Sequence, residues 1–234
     1  MTPTELAGRI EHTILAPEAQ WAEVERVAAE AGENGFAAVC VSPVWVARVA
    51  RLVRSGVATC TVVGFPHGVN KPTLKAIEAT SVIKDGADEI DVVAHLPNLA
   101  NADVDAARAE LMEIVRAARA TRRDVVVKVI VESALLLSLG AERGEEVIAA
   151  ACRAVRESGC DYIKTSTGFH SAGGASIEAV RLMKKYGEGL MIKAAGGIRD
   201  LAMAQAMVSA GADRLGMSAS LRIMDELRTS DAGA

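Results

Sequence analysis

Two lysines stand where an ammonium ion is costly. Lys164 closes the apolar run Tyr162-Ile163 and opens Lys164-Thr165-Ser166-Thr167-Gly168-Phe169. Lys193 closes Met191-Ile192 and opens Lys193-Ala194-Ala195-Gly196-Gly197-Ile198. Each apolar run reads as a short buried strand, and each is followed by a glycine-rich turn. An amine in a dry, positively charged pocket loses its proton and can attack a carbonyl carbon, which is the requirement for Schiff-base catalysis. The turns beside it can hold a phosphate through backbone N–H groups.

The elements that must position these lysines run in one alternation from end to end. Strands are expected at residues 10–15, 36–41, 59–63, 89–93, 125–131, 162–165, 191–194 and 214–217. Helices are expected at 20–33, 43–54, 73–84, 103–121, 144–158, 176–186 and 200–210, with a closing helix from about Ser220. The strands are short and rich in Val and Ile, and glycines follow most of the helices. Eight such βα units fit a single-domain (β/α)8 barrel, the TIM barrel, over residues 1–234 better than the alternative, a doubly wound open sheet. No linker or change of composition divides the chain.

In a parallel barrel one strand parity faces the helices and the other the interior. Ile90, Val92, Val127, Val129, Val131, Ile163 and Ile192 then point outward. Asp91, Lys128, Glu132, Lys164 and Lys193 point inward and converge near the carboxyl-terminal face, where barrel enzymes place their active sites. Like charges on neighbouring strands leave one amine neutral and nucleophilic, while Asp91 compensates the other and can relay a proton. An inert ion network would use the same residue types, but buried ion pairs add little stability by themselves, and the functional reading is preferred. Thr167-Gly168, Gly196-Gly197 and Gly216-Met217-Ser218 follow strands six, seven and eight, where barrels of this kind commonly bind phosphate.

Composition excludes several classes. Of 234 residues 50% are hydrophobic, enough for a full core, and the net charge of −4 with scattered basic residues does not favour nucleic acid or an anionic membrane. Only 3% are aromatic, which argues against base stacking. Cys40, Cys60, Cys152 and Cys160 show no CxxC spacing and read as free core thiols in a reducing compartment. The amino terminus lacks the regions of a signal peptide, and charge interrupts every apolar stretch before a membrane span could form. A cytoplasmic location is expected.

The segments Lys164–Phe169 (KTSTGF), Ile192–Arg199 (IKAAGGIR), Gly86–Val93 (GADEIDVV), Ala37–Val41 (AAVCV), Val62–Gly68 (VVGFPHG) and Lys128–Ser133 (KVIVES) resemble deoxyribose-phosphate aldolases, in family order over almost the whole chain. The resemblance implies a class I aldolase that reversibly cleaves 2-deoxy-D-ribose 5-phosphate into acetaldehyde and D-glyceraldehyde 3-phosphate, a step of deoxyribonucleoside catabolism. It implies that Lys164 forms the imine, that Lys193 keeps Lys164 nucleophilic, and that Asp91 acts with Lys193 in proton transfer. It implies further that Thr167 contacts the sugar and that Gly168, Gly196, Gly197, Gly216 and Ser218 hold the phosphate. No metal or other cofactor is implied, because the protonated imine is itself the electron sink. The partners are small phosphosugars and aldehydes, and a homo-oligomer, dimer or tetramer, is expected.

Some residues depart from the family pattern. Glu11 stands for an aspartate, Ala94-His95-Leu96-Pro97-Asn98 for an Asn-x-Gly turn, Ala219 for a second serine and Ser133 for a threonine, and the tail Asp231–Ala234 has no tyrosine. These bear on rate and preference rather than reaction class. His95, Pro97 and Phe169 are the residues expected to shape the choice of aldehyde. His12, His67 and His95 near the ends of strands one, three and four raise the alternative of a metal-dependent aldolase, but no HxH or HxxxH spacing supports it. A phosphosugar-binding barrel without catalysis, and a Schiff-base aldolase with another acceptor or donor, are the remaining alternatives.

Overall fold

The computed structural model describes residues 1–53 and 56–232. Eight parallel strands close into a barrel in chain order, with the last paired back to the first. The order begins with α1 (Pro3–Ala7), β1 (Ile10–Ile14), α2 (Trp21–Glu33), β2 (Ala38–Val41), α3 (Val46–Leu52), β3 (Ala58–Val63) and α4 (Pro72–Lys84). It continues with β4 (Glu89–Val93), α5 (Leu96–Ala100), α6 (Val104–Thr121), β5 (Val126–Ile130), α7 (Ser133–Leu137) and α8 (Ala141–Glu157). The chain completes the ring with β6 (Tyr162–Lys164), α9 (Ile177–Tyr186), β7 (Met191–Ala195), α10 (Leu201–Ala210), β8 (Arg214–Met217) and α11 (Ser220–Ala232).

All eight expected strands are present, within two residues at each end. The helix expected at 43–54 opens as a 3-10 turn at Pro43–Trp45 before α3, and its expected end at Arg54 lies outside the described residues, as does the end of the expected tail. Three short helices were not foreseen. α1 is closed at its start by a capping box between Thr2 and Glu5, while α5 and α7 occupy stretches that read as loops.

Strand parity divides the core into two shells. Ile90, Val92, Val127, Val129, Val131, Ile163 and Ile192 face outward as expected and pack with the inner faces of the helices. In α6 this face is Ala107, Leu111, Ile114 and Ala118, one stripe at helical spacing, and Asp103 caps its amino terminus by accepting from Ala106 N at 3.0 Å. Inside the barrel, Leu15, Ala38, Cys40, Cys60 and Val62 form a small apolar cluster toward β2 and β3. Charged side chains share the rest of the interior with Val93, Ile130, Tyr162 and Ala195, which are buried on the same strand parity.

One device fixes the register at the amino ends of the strands. Asp88, Asp161 and Asp213 each follow a Gly-x pair that ends a helix, and each clasps one residue of the preceding strand. Their carboxylates accept from Thr59 N, Val127 N and Ile192 N at 2.8 Å each. Their own N–H groups donate to the carbonyls of those same residues at 2.7, 2.9 and 2.8 Å. Because a one-residue slip would turn every side chain to the other face, these clasps decide that Lys128 and Lys193, the next residues after Val127 and Ile192, point inward.

Candidate active site

The register sets Lys164 directly beside Lys193 on β6 and β7, and Asp91 beside Lys128 on β4 and β5. Lys164 Nζ and Lys193 Nζ both donate to the same oxygen, Asp91 Oδ2, at 2.6 Å. The other oxygen, Oδ1, accepts from Lys128 Nζ at 3.1 Å and from the Cys60 thiol at 3.4 Å. Lys193 also donates to Glu11 Oε2. Below this layer Lys128 pairs with Glu89 at 2.5 Å, and Arg214 lies 3.6 Å from Glu89 and 3.8 Å from Glu11. An ionic column thus runs down the barrel axis, with three carboxylates (Glu11, Glu89, Asp91) facing four basic groups (Lys128, Lys164, Lys193, Arg214).

Burial and charge oppose each other throughout this column. Burial alone would raise the Asp91 carboxyl, but the three lysines outweigh it and hold it well below the usual carboxylate range. Burial alone would lower the Lys193 ammonium, but Asp91 and Glu11 hold it above the ordinary lysine range. The same balance, led by Asp91, raises Lys128. Lys193 and Lys128 are therefore cations at neutral pH. The column therefore holds one more basic group than it holds carboxylates, and Asp91 is the carboxylate that Lys164 shares with Lys193 and Lys128.

Access separates the lysines further. A cavity of about 480 Å³ opens at the carboxyl ends of the strands, and Lys164 lines it while Lys128 and Lys193 do not. Thr167, Gly168, Gly196, Gly197, Gly216 and Ser218 all line the same cavity, together with Phe169, Arg199 and the segment from Thr13 at the end of β1 to Glu18 in the loop after it. The loops after β6 and β7 meet there backbone against backbone. Gly196 has φ +89°, and a Cβ on it would lie 3.1 Å from Gly174 Cα and 3.2 Å from Gly168 Cα. Gly216 serves the lysines as well as the cavity, since a Cβ there would sit 3.0 Å from Lys193 Cε.

Two expectations are corrected, and the geometry bears on one alternative. Glu132 does not join the lysine cluster. It adopts a left-handed backbone (φ +50°) at the start of α7, and its Oε1 accepts from Thr167 N at 2.7 Å, so it holds the loop after β6 rather than an amine. His95 lines a separate cavity beside α4 and α6, leaving Phe169 as the residue of the three singled out for aldehyde choice that faces the site. His12, whose neighbour Glu11 points inward, lies on the helix-facing side of β1, bonded to Ser220 and Glu30, so it does not meet His67 or His95 in a ligand set. The sets of three ligand-type side chains among the described residues are Cys40–Cys60–Asp91 and Glu11–Cys60–Glu89, whose carboxylates are already taken by ammonium groups. All four cysteines are free and buried.

Several contributors were not singled out from sequence. Glu11 reads from sequence only as a departure, yet it touches both Lys193 and Lys128. Glu89 and Arg214 share strand parity with Asp91 and Gly216, and that alternation was the available signal. Thr165 clasps β6 to β7, its Oγ1 donating to Ala195 O and accepting from Ala195 N at 3.0 Å each.

The structure is thus a closed α/β barrel with paired lysines beneath a cavity at its carboxyl end. The family model for DeoC/LacD family aldolases matches residues 8–225. A Kocuria rhizophila protein named deoxyribose-phosphate aldolase is 45% identical over 228 residues, covering 97% of this chain and 99% of the relative. A protein of that name from Caldanaerobacter subterraneus is 41% identical, covering 97% and 96%. The deoxyribose phosphate aldolase structure from Aeropyrum pernix, described as a unique tetramer, superposes with a TM-score of 0.87 at 32% identity, covering 98% and 93%. The chain belongs to the DeoC/LacD aldolase family, among the deoxyribose-phosphate aldolases, and is a lyase.

Proposed function

We propose that the protein cleaves 2-deoxy-D-ribose 5-phosphate reversibly into acetaldehyde and D-glyceraldehyde 3-phosphate through an imine on Lys164. The observation that carries this reading is the shared oxygen of Asp91: it binds two amines at 2.6 Å, and only Lys164 faces the cavity. The unprotonated Lys164 Nζ attacks C1 of the open-chain sugar, and loss of water leaves a protonated imine. Removal of the proton from the 3-hydroxyl sends the C2–C3 electron pair into that imine. This gives an enamine and releases glyceraldehyde 3-phosphate. Protonation of the enamine carbon and hydrolysis release acetaldehyde and restore the amine. Asp91 and the charged Lys193 exchange the proton of the 3-hydroxyl through water.

Thr167 contacts the sugar, and Gly168, Gly196, Gly197, Gly216 and Ser218 hold the phosphate with backbone N–H groups at the start of α11 and with the Ser218 hydroxyl. No metal or other cofactor takes part. Residues 1–234 form one catalytic domain acting in cytoplasmic deoxyribonucleoside catabolism as a dimer or tetramer. No helix among the described residues is long and apolar enough to cross a membrane. Turnover tests the reading. Acetaldehyde and glyceraldehyde 3-phosphate should form in equal amounts from the phosphosugar. Binding of the sugar without products would favour a non-catalytic barrel, and faster turnover of another aldol would favour a different substrate.

A further inference from the structure

We propose that His12 is a positioning residue for the phosphate end of the cavity, bracing the amino terminus of α11 against β1. The inference rests on the phosphate reading given above. β1 and β8 pair with His12 opposite Met217, and α11 begins three residues after Met217 at Ser220. His12 Nδ1 lies 2.9 Å from Ser220 Oγ, and its Nε2 lies 2.9 Å from Glu30 Oε2 on α2. Arg26 holds the other oxygen of Glu30 at 2.6 Å. Burial would raise the Glu30 carboxyl, but the bonds from His12 and Arg26 keep it below its ordinary value, so it is a carboxylate that can only accept. Nε2 therefore carries a proton. Phe36 packs edge-on to the imidazole, with centroids 5.5 Å apart, and fixes its plane.

Serine, histidine and glutamate in this order suggest a nucleophile, but Ser220 is completely buried and its Oγ turns back to Met217 O at 3.2 Å. The arrangement is a brace. Its place in the fold shows what it braces. A smaller cavity of about 250 Å³ lies beside His12 and Glu30, and Thr13, Ile14 and Ser218 line both it and the active cavity. The wall at the phosphate end is thus one layer thick, and Ala219 in that layer offers no side-chain hydrogen bond. The His12–Ser220 bond ties this layer to β1 and α2 from behind. Loosening it would displace Ser218 and the first N–H groups of α11 while leaving the lysine column, on the opposite face of β1, in register.

The test compares wild type with Ser220→Ala and His12→Gln, using 2-deoxyribose 5-phosphate and unphosphorylated 2-deoxyribose as substrates. Each variant should lower the ratio of kcat/KM for the phosphorylated over the free sugar by about three- to tenfold, the range a single neutral hydrogen bond covers. The inhibition constant for inorganic phosphate should rise by a similar factor. His12→Asn, whose amide can reach the position of Nδ1, should recover part of the ratio. Borohydride trapping of acetaldehyde on Lys164 in each variant reports that the lysine end is intact. Parallel loss on both sugars, or an unmoved ratio, would overturn the brace. A wild type that binds phosphate without turning over the sugar would sink the aldolase reading instead, and weaker phosphate binding by Ser220→Ala would then still support the brace.

Discussion

Replacing Asp91 by asparagine tests whether one carboxylate organises the interior. Asp91 is fully buried, accepts from Lys164 and Lys193 at 2.6 Å each and from Lys128 at 3.1 Å, and is the sole ion-pair partner of Lys164 among the described residues. Asparagine keeps the shape and removes the charge. Breaking a buried ion pair from one side costs about 3–5 kcal/mol, because the partner is left charged in a poor solvent. The three pairs share one anion and do not add, so the same range holds for the site. For a chain of this size that is a fall in melting temperature of roughly 6–20 °C, at about 2–4 °C per kcal/mol.

The pH dependence carries a sign. Lys193 and Lys128 are held above the ordinary lysine range, so their contribution is fully present below the unfolded lysine pKa of about 10.4 and is lost as pH rises through the folded value. In Asp91→Asn the burial cost of the Lys128 and Lys193 ammoniums meets a smaller opposing charge, and loss of a proton relieves it. The destabilisation should therefore shrink as the pH rises from 7 to 10, by about 1 kcal/mol or more, the equivalent of one pKa unit. Calorimetric scans at both pH values measure it. Equal losses at the two pH values, or a total loss below about 1 kcal/mol, would refute the reasoning.

Other consequences are open to direct measurement. Lys75 is fully buried and donates to Gly68 O and Val93 O at 2.7 Å and to Glu110 at 2.5 Å, tying the loop after β3 to the end of β4. Lys75→Met should cost about 3–5 kcal/mol in thermal unfolding, and Lys75→Met with Glu110→Leu should recover more than half of it. Gly196→Ala places a Cβ against the backbones of Gly168 and Gly174 at a left-handed φ. It should raise KM for the phosphorylated sugar by about tenfold or more, as expected for a small misplacement of a binding loop, while trapping at Lys164 persists. Dialysis against EDTA should leave turnover unchanged, whereas a loss reversed by a divalent cation would contradict imine catalysis.

The barrel was legible because its signals are local and repeated. Short Val- and Ile-rich runs with one inward polar residue fix both the strands and their facing, and the Gly-x-Asp steps before β4, β6 and β8 mark where strands begin. The same parity placed Asp91, Lys128, Lys164 and Lys193 together. It failed at Glu132 because alternation ends where β5 ends, and a left-handed residue redirects the side chain to Thr167 N. α5 and α7 escaped because their helical turns are single and embedded in loop-like sequence, where tertiary packing rather than propensity decides. Glu11 was read by its difference in type, and its partners Lys193 and Lys128 lie far away in the chain. The His12–Ser220 bond likewise joins positions 208 residues apart, which no local pattern reveals.

The central claim is that Lys164 is the nucleophile. Incubation with acetaldehyde and borohydride, followed by intact-mass measurement and peptide mapping, tests it most directly. A single reduced two-carbon adduct on Lys164, absent from Lys164→Ala, is the expected result. No adduct, an adduct on Lys193, or one spread over surface lysines would contradict it.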